Sequence, residues 1–433
     1  MLQSKSVVKK TKPIVEAMLS SWEEQAETDN RPRLFTVWDV GAGSGAVYFG
    51  LLLKADELIK RNVCIHLVAI DADKQMVDFL SDIAEKESIS LNEDENHKAW
   101  DTADPLSDAS LRISANSALV KMTVIFANAL NMSMDDLPPC DVLVLNSVVH
   151  EIISYGEVDK SETRYNRDNI RVFLHNFANS AAAKKDTAIF FRDFILPPKD
   201  WAQRFLQKEA PVLSIPENDK CFQYAIKVIF KTETSRKYAR VLWEDLAKRY
   251  KLKEATRPAT LPYNPESELV LHIDSVMEMV ASWYWAKVDA SKLDIKLVSV
   301  PEISTASPSI PPVSLSSCTT TPSISSSELT LNYDSTIDEQ FCNYSLESFS
   351  NLMAELGYFP IKESELKTYT SEKYVTTFEE DFNMELLVWR LRCPSDFLCG
   401  EEAGFRVLPI QGSDLPHLKA SVVYKKLEAH DAL

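Results

Sequence analysis

The sequence predicts an α/β protein built on a doubly wound, mostly parallel sheet, and three observations predict it. Short apolar runs alternate with segments of helical period through the first half of the chain. Parallel strands need that order, because each crossover between them carries a helix. Glycine is scarce, nine in 433 residues, yet Gly41, Gly43, Gly45 and Gly50 cluster directly after the first run. The length also exceeds what one ordinary core fills, at roughly 150 residues per domain, so the sheet should carry a large insertion.

Composition narrows the class. With 45% hydrophobic and 26% charged residues the chain is globular, not disordered. No stretch reaches the roughly 18 uncharged apolar residues of a membrane span. A net charge of −17 gives no global attraction to nucleic acid or anionic lipid. The seven cysteines contain no CxxC pair and read as reduced thiols. Residues 1–30 mix lysine with glutamate and lack a signal peptide's apolar region. The expected compartment is the cytoplasm, with the nucleus as alternative.

Taken in order, residues 13–25 place Ile14, Met18 and Trp22 at helical spacing and predict an opening helix within a 1–30 segment. Leu34–Val40 is a first strand, ending at the glycines, and Ala46–Lys60 a helix. Cys64–Ile70 is a second strand, closed by Asp71-Ala72-Asp73, and Gln75–Glu87 a helix. Polar residues 88–118 read as a loop. Met122–Phe126 and Asp141–Leu145 are the third and fourth strands, Asn169–Lys184 a helix and Thr187–Phe191 the fifth strand. Together 31–195 form the core domain.

The regular alternation then stops. Residues 196–298 mix helices (Thr234–Lys251 and Leu269–Lys287) with short strands and read as an insertion. In 299–327, 20 of 29 residues are Ser, Thr or Pro, so 299–337 should be a loop that buries no core. Residues 338–433 resume with a helix at Ser345–Leu356 and strands at Gly357–Leu366 and Ser421–Lys426.

Asp39-Val40-Gly41-Ala42-Gly43-Ser44-Gly45 follows a strand and opens a helix, the setting of a nucleotide-binding turn. Glycines allow a sharp bend and close approach to a ligand, and leave helix-start amides to meet it. Asp71, ending the next strand, can accept the hydroxyls of a ribose. Gly41, Gly43 and Ala46 also satisfy the GxGxxG/A spacing of NAD or FAD sites. Asp39 argues against a pyrophosphate, which it would repel, and for a ligand carrying a cation.

The segment resembles motif I of the class I S-adenosylmethionine-dependent methyltransferases. That resemblance covers 34–193 and resumes at about 340–428. It implies a seven-stranded Rossmann-like sheet closed by an antiparallel hairpin, with the mixed α/β insertion between. It further implies that Asp39, Gly41, Ala42, Gly43 and Gly45 border the methionine part of S-adenosylmethionine. Asp71 and Ala72 would then lie at the ribose, Asn128 and Ala129 beside the adenine, and Asn146 to Glu151 along the methyl-transfer pocket. The NPPY or DPPY signature of enzymes that methylate base or glutamine amines is missing from that last segment.

Methyl transfer needs an acceptor held about 3 Å from the methyl carbon in a dry site, with a base when the acceptor is a hydroxyl or a protonated amine. His150 is the first candidate because imidazole titrates near neutral pH. Glu151 and Tyr155 follow, with simple positioning as the competing role. Arg192 and Asp193, ending the fifth strand, are expected to pair with each other or to meet the acceptor. Scattered histidines show no metal spacing, so no metal is expected.

A small-molecule acceptor is favoured, because the insertion is rich in large apolar residues that can cover a pocket. Residues 227–253 hold nine basic and three acidic residues with interleaved Phe230, Tyr238, Trp243 and Tyr250. That composition suits RNA, although Trp243, Ala247 and Tyr250 also share one helix face. A protein acceptor, or a cofactor-binding scaffold without activity, completes the alternatives.

Overall fold

The computed structural model describes residues 33–52, 54–60, 63–93, 120–157, 160–211, 222–257, 261–288, 339–361, 367–369, 371–390 and 406–426. The helix expected at 13–25 and the Ser/Thr/Pro-rich segment lie outside these residues.

The first half forms β1 (Arg33–Val40), α1 (Ala46–Leu52), α2 (Ala55–Lys60), β2 (Val63–Asp71), α3 (Lys74–Glu93), β3 (Val120–Phe126), β4 (Cys140–Asn146), α4 (Val149–Tyr155), α5 (Asp168–Asn179) and β5 (Ala183–Phe194). These five strands run parallel. Their side chains alternate between two helix-covered faces, which is why the runs are almost continuously apolar. Val37 packs with Val47, Tyr48 and Leu51 of α1. Its neighbour Trp38 packs on the other face with Ile170, Phe173 and Phe177 of α5. α5 begins at Arg167 with no side-chain cap. A cap contributes only about 1 kcal/mol, whereas each buried large apolar side chain contributes about 1.5–3 kcal/mol. Burial of Ile170, Phe173, Leu174 and Phe177 therefore decides that this segment is a helix.

The second half adds α6 (Trp201–Glu209), β6 (Phe222–Phe230), α7 (Glu233–Tyr250), β7 (Glu268–Leu271), α8 (Ile273–Val288), α9 (Leu346–Glu355), β8 (Tyr358–Pro360), β9 (Lys367–Tyr369), α10 (Glu372–Asp381), β10 (Phe382–Arg390), β11 (Arg406–Ile410) and β12 (Lys419–Lys426). The main sheet has the order β3-β2-β1-β4-β5-β12-β8, with β9 also on β12. β12 is antiparallel to both β5 and β8. This is a doubly wound, mostly parallel, Rossmann-like sheet. The order reverses between β1 and β4, and a crevice opens there at the carboxyl ends of the strands.

A second, antiparallel sheet has the order β11-β10-β6-β7. β6 pairs along its whole length with β10, from Phe382 opposite Phe230 to Arg390 opposite Phe222. Residues 338–433 therefore do not simply complete the first sheet: β8, β9 and β12 join it, whereas α10, β10 and β11 join the insertion. Leu386 and Met384 are buried with Ile226 and Val228 in one apolar core with α6, α7, α8 and α10. That shared burial explains the exchange. Smaller differences are that the helix expected over Ala46–Lys60 is two helices, and that Leu269–Leu271 is strand, its carbonyls and amides spent on β6.

α7 shows where the basic residues go. Thr232 and Ser235 form a capping box at its start, and Lys251 ends it in a left-handed conformation. Trp243 and Tyr250 are buried, so they pack against the second sheet and present no ring to solvent. Arg240 pairs with Glu254 at 2.6 Å and donates to the carbonyls of Pro265 and Glu268 at 2.9 and 2.6 Å. It ties the helix to the β7 edge. Among the described residues no helix is long and apolar enough to cross a membrane.

Arg240→Ala should therefore destabilise the protein by about 1–2 kcal/mol, because several charge-assisted hydrogen bonds to the β7 edge are lost. Urea unfolding measures it. Arg236→Ala, exposed on the same helix, should stay within about 0.5 kcal/mol of the parent.

Candidate cofactor cleft

The bend after β1 is set by β2. The amides of Gly41 and Ala42 both donate to the carbonyl of Ile70, at 2.8 and 3.1 Å. The Gly43 amide donates to Asp71 Oδ2 at 2.7 Å, and Asp71 Oδ1 accepts the Asp73 amide at 2.8 Å. Gly41, Gly43 and Gly45 have φ of +68°, +51° and +78°. L side chains adopt that region only with strain. A Cβ on Gly41 would lie 2.3 Å from Val148 Cγ2, and one on Gly45 2.8 Å from Leu80 Cδ2. The glycines thus serve a close backbone crossing as much as a ligand. Their first amides are spent on Ile70 and Asp71, not left free as the motif alone suggests.

A cleft of about 80 Å³ opens beside this bend, lined by Gly41, Asp71, Ala72, Asn128, Ala129, Val148, Glu151, Tyr155 and their neighbours. Three strand ends supply it, those of β1, β2 and β3, and α4 supplies the far wall. Glu151 and Tyr155 are four apart on α4 and share the face turned to the cleft. Among the described residues no lysine or arginine lines it. Asn128 donates to the Gly156 carbonyl at 2.9 Å and accepts the Leu130 amide at 2.9 Å, which holds the loop after β3 against the end of α4.

The remaining expected residues lie behind this surface. Asp39 is 2% exposed, and burial followed by the nearby Asp71 carboxylate pushes its pKa up to about 8. At neutral pH it is therefore mostly an acid and not the fixed anion that its position suggests. Ala42, Gly43 and Gly45 shape the bend from outside the cleft. Asn146 is engaged sideways, accepting from Arg192 Nη1 at 2.9 Å.

His150 is not among the residues lining the cleft, and its Nδ1 is turned toward β5. Its Nδ1 lies 2.7 Å from Asp193 Oδ1, and its backbone amide donates to Asp193 Oδ2 at 3.2 Å. Its Nε2 lies 3.4 Å from Glu339 Oε2. Burial works against the imidazolium, but Asp193 and then Glu339 outweigh it and raise the pKa well above the ordinary value. Burial would equally lift Asp193, yet His150 holds it below the usual carboxylate range. A histidine so held is charged at neutral pH and acts as a clamp before it can act as a base. Arg192 and Asp193 do not pair with each other: neighbours on a strand point to opposite faces, so one meets Asn146 and the other His150.

No motif or spacing in the sequence points to Glu339 or Glu278. Glu339 begins a strap, 339–344, that runs along the wall of the cleft. Tyr155 donates its hydroxyl to Glu339 Oε1 at 2.8 Å, and the Gln340 amide donates to Ser154 Oγ at 2.8 Å. Buried Glu278 on α8 accepts the amides of Phe341 and Cys342 at 3.0 and 2.8 Å. Burial lifts its pKa to about 7. Glu151 rises to about 8, through burial first and then the Glu339, Asp193 and Asp71 carboxylates, with His150 pulling the other way. Nothing local in the sequence joins residue 339 to 155; the contact spans 184 residues.

The strand order and the glycine bend define a Rossmann-like α/β fold with a nucleotide-type crevice. No protein-family model matches the chain, and no curated protein matches it. Among solved structures it is similar to the DszA carbon methyltransferase, at 11% identity over 47% of this chain and 38% of that one, with a TM-score of 0.26. It is likewise similar to a Listeria monocytogenes protein described as a class I S-adenosylmethionine-dependent methyltransferase, at 14% identity, 48% and 54% coverage and a TM-score of 0.24. It is also similar to the mycolic acid cyclopropane synthase CmaA1 complexed with SAH and CTAB, at 13% identity, 62% and 60% coverage and a TM-score of 0.22. The chain thus spans between 38% and 60% of the length of these proteins. At such scores the likeness adds no weight to the strand order itself.

Two outcomes follow from the bend and the buried carboxyl. Gly41→Ala should lose about 2–3 kcal/mol in urea unfolding, because Val148 must shift and a left-handed conformation is strained. Asp39 has a folded pKa above its unfolded one, so its contribution is unfavourable to folding once pH rises past about 4 and worsens up to about 8. Asp39→Asn should therefore flatten the decline of stability across that window, read by thermal unfolding at a series of pH values.

Proposed function

We propose that this protein is an S-adenosylmethionine-dependent methyltransferase acting on a small-molecule acceptor. One observation carries the reading: the cleft at the switch point is lined by Asp71 and Glu151 and, among the described residues, by no lysine or arginine. A dinucleotide brings a pyrophosphate, which the Asp71 carboxylate would repel. S-adenosylmethionine brings a sulfonium and an ammonium, which Asp71 attracts and for which Glu151 can give up its proton. The acid-lined bend is thus the chemical fit to this cofactor, and it does not suit NAD or FAD.

Asp71 would hold the ribose hydroxyls with the oxygen lone pairs left after its two backbone contacts. Asn128 and Ala129 would border the base, and Gly41 and Ala72 the chain between. Bound there, the cofactor supplies a methyl carbon already activated for in-line displacement. Glu151 and Tyr155, on the cleft face of α4, orient the acceptor. His150, clamped by Asp193, fixes α4 and stays ready to take a proton at Nε2 once it is deprotonated. Entry requires the cleft to widen, since about 80 Å³ falls short of the roughly 300–1,000 Å³ of small-molecule sites. The contacts to release are Tyr155 to Glu339 and Asn128 to Gly156.

A small acceptor is favoured over RNA because Trp243 and Tyr250 of α7 are buried and the half-buried Tyr238 lies under Lys237, so the helix offers no open row of rings for bases to stack on.

S-adenosylhomocysteine should raise the melting temperature and NADH should not, and Asp71→Ala should lose the shift. A shift by NADH alone overturns the assignment. Labelled methyl from S-adenosylmethionine should then enter the small-molecule fraction of a cell extract and not its RNA or protein. Because a cation in the cleft lowers the pKa of Asp39, affinity for S-adenosylmethionine should rise with pH up to about 8 and then level off. Calorimetry in buffers of different ionisation enthalpy should show proton release below that pH.

A further inference from the structure

We infer that His150, Glu151 and Glu339 form a binding site for one divalent transition-metal ion, Mn²⁺ or Zn²⁺, at the edge of the cleft. One ligand atom from each of the three lies within 4.8 Å of the other two. The 3.4 Å between His150 Nε2 and Glu339 Oε2 is close to the edge of a tetrahedron whose ligands sit about 2.1 Å from the ion.

The imidazole is held as a ligand must be. Asp193 occupies Nδ1 at 2.7 Å, which fixes the ring and presents Nε2 to the two glutamates. The ring is further confined by Phe194 and Phe341, with centroids 5.5 and 5.3 Å away. Glu339 is braced in the same manner: Tyr155 donates to Oε1, leaving Oε2 toward the imidazole. Glu151 is the observation that points to a cation. Its carboxyl lines the cleft and, among the described residues, has neither a hydrogen bond nor an ion pair. Among the described residues Glu339 has no lysine or arginine partner either. The positive charge that the two carboxyl groups face is the imidazolium itself, whose Nε2 proton a metal ion would replace.

One imidazole with two carboxylates suits Mn²⁺ or Zn²⁺ better than Mg²⁺ or Ca²⁺, which favour all-oxygen sets. Three protein ligands leave at least one position on the ion, facing the cleft, for water or an oxygen atom of a ligand. The scattered histidines of the sequence carried no such pattern, because a single histidine is used and one glutamate arrives from the strap.

The test is calorimetric titration of the EDTA-treated, buffer-exchanged full chain with MnCl₂ and, separately, ZnCl₂, without S-adenosylmethionine. One ion should bind per chain, and Glu151→Gln should weaken it at least tenfold. That variant loses no hydrogen bond, so it is the safer probe if Glu339→Gln unsettles the strap. Mn²⁺ titrations followed by electron paramagnetic resonance should show loss of the free-ion signal at one equivalent, and His150→Ala should restore it. Absence of saturable binding, or binding unchanged in Glu151→Gln and Glu339→Gln, overturns the site. Since no cofactor is present, the result is independent of the methyltransferase assignment, which the S-adenosylhomocysteine shift tests by itself.

Discussion

The architecture of the cleft depends on the bond between Asp71 and the Gly43 amide. With the Ile70 carbonyl accepting two further amides, it joins the ends of β1 and β2 and forces the chain through three left-handed glycines. Every other wall is placed relative to that bend. Val148 reaches it from β4 because Gly41 has no side chain, and Leu80 reaches it from α3 because Gly45 has none. The turn is a packing device before it is a ligand site. This accounts for the concentration of so rare a residue within one short stretch.

A second constraint is charge. Asp39, Asp71, Glu151, Asp193, Glu278 and Glu339 gather around one imidazole at the carboxyl edge of the sheet. Such a group cannot all be ionised in a partly dry site at low cost. The structure resolves it unevenly. Asp193 stays charged against His150, while Asp39 and Glu151 hold protons that a positive ligand would displace. The charge of the site is therefore set by pH across the neutral range.

Much of this was legible in the sequence. The five parallel strands were readable because both their faces are covered, so apolar residues run unbroken. The glycine bend was readable because the backbone there tolerates no other residue, and the alternation located Asp71 at the end of β2, Asn128 just after β3 and Glu151 in the helix after β4. What escaped were features made by distant segments. β6 and β10 are half-exposed or interrupted runs whose partner lies more than a hundred residues away, and no local pattern encodes their pairing. Glu339 and Glu278 matter only because a strap crosses α4 and α8. The charge of His150 and the neutrality of Asp39 were misjudged for the same reason: burial and neighbours set them, and neither is visible along the chain.

The second sheet is sewn into the first. Its strands β6 and β7 leave after β5, β10 and β11 return much later, and β12 then crosses back to lie between β5 and β8. Neither layer can be lifted out as a continuous piece of chain, because segments of each are interleaved along the sequence. The molecule should come apart in one cooperative event, and clipping off its last stretch would unravel both layers together.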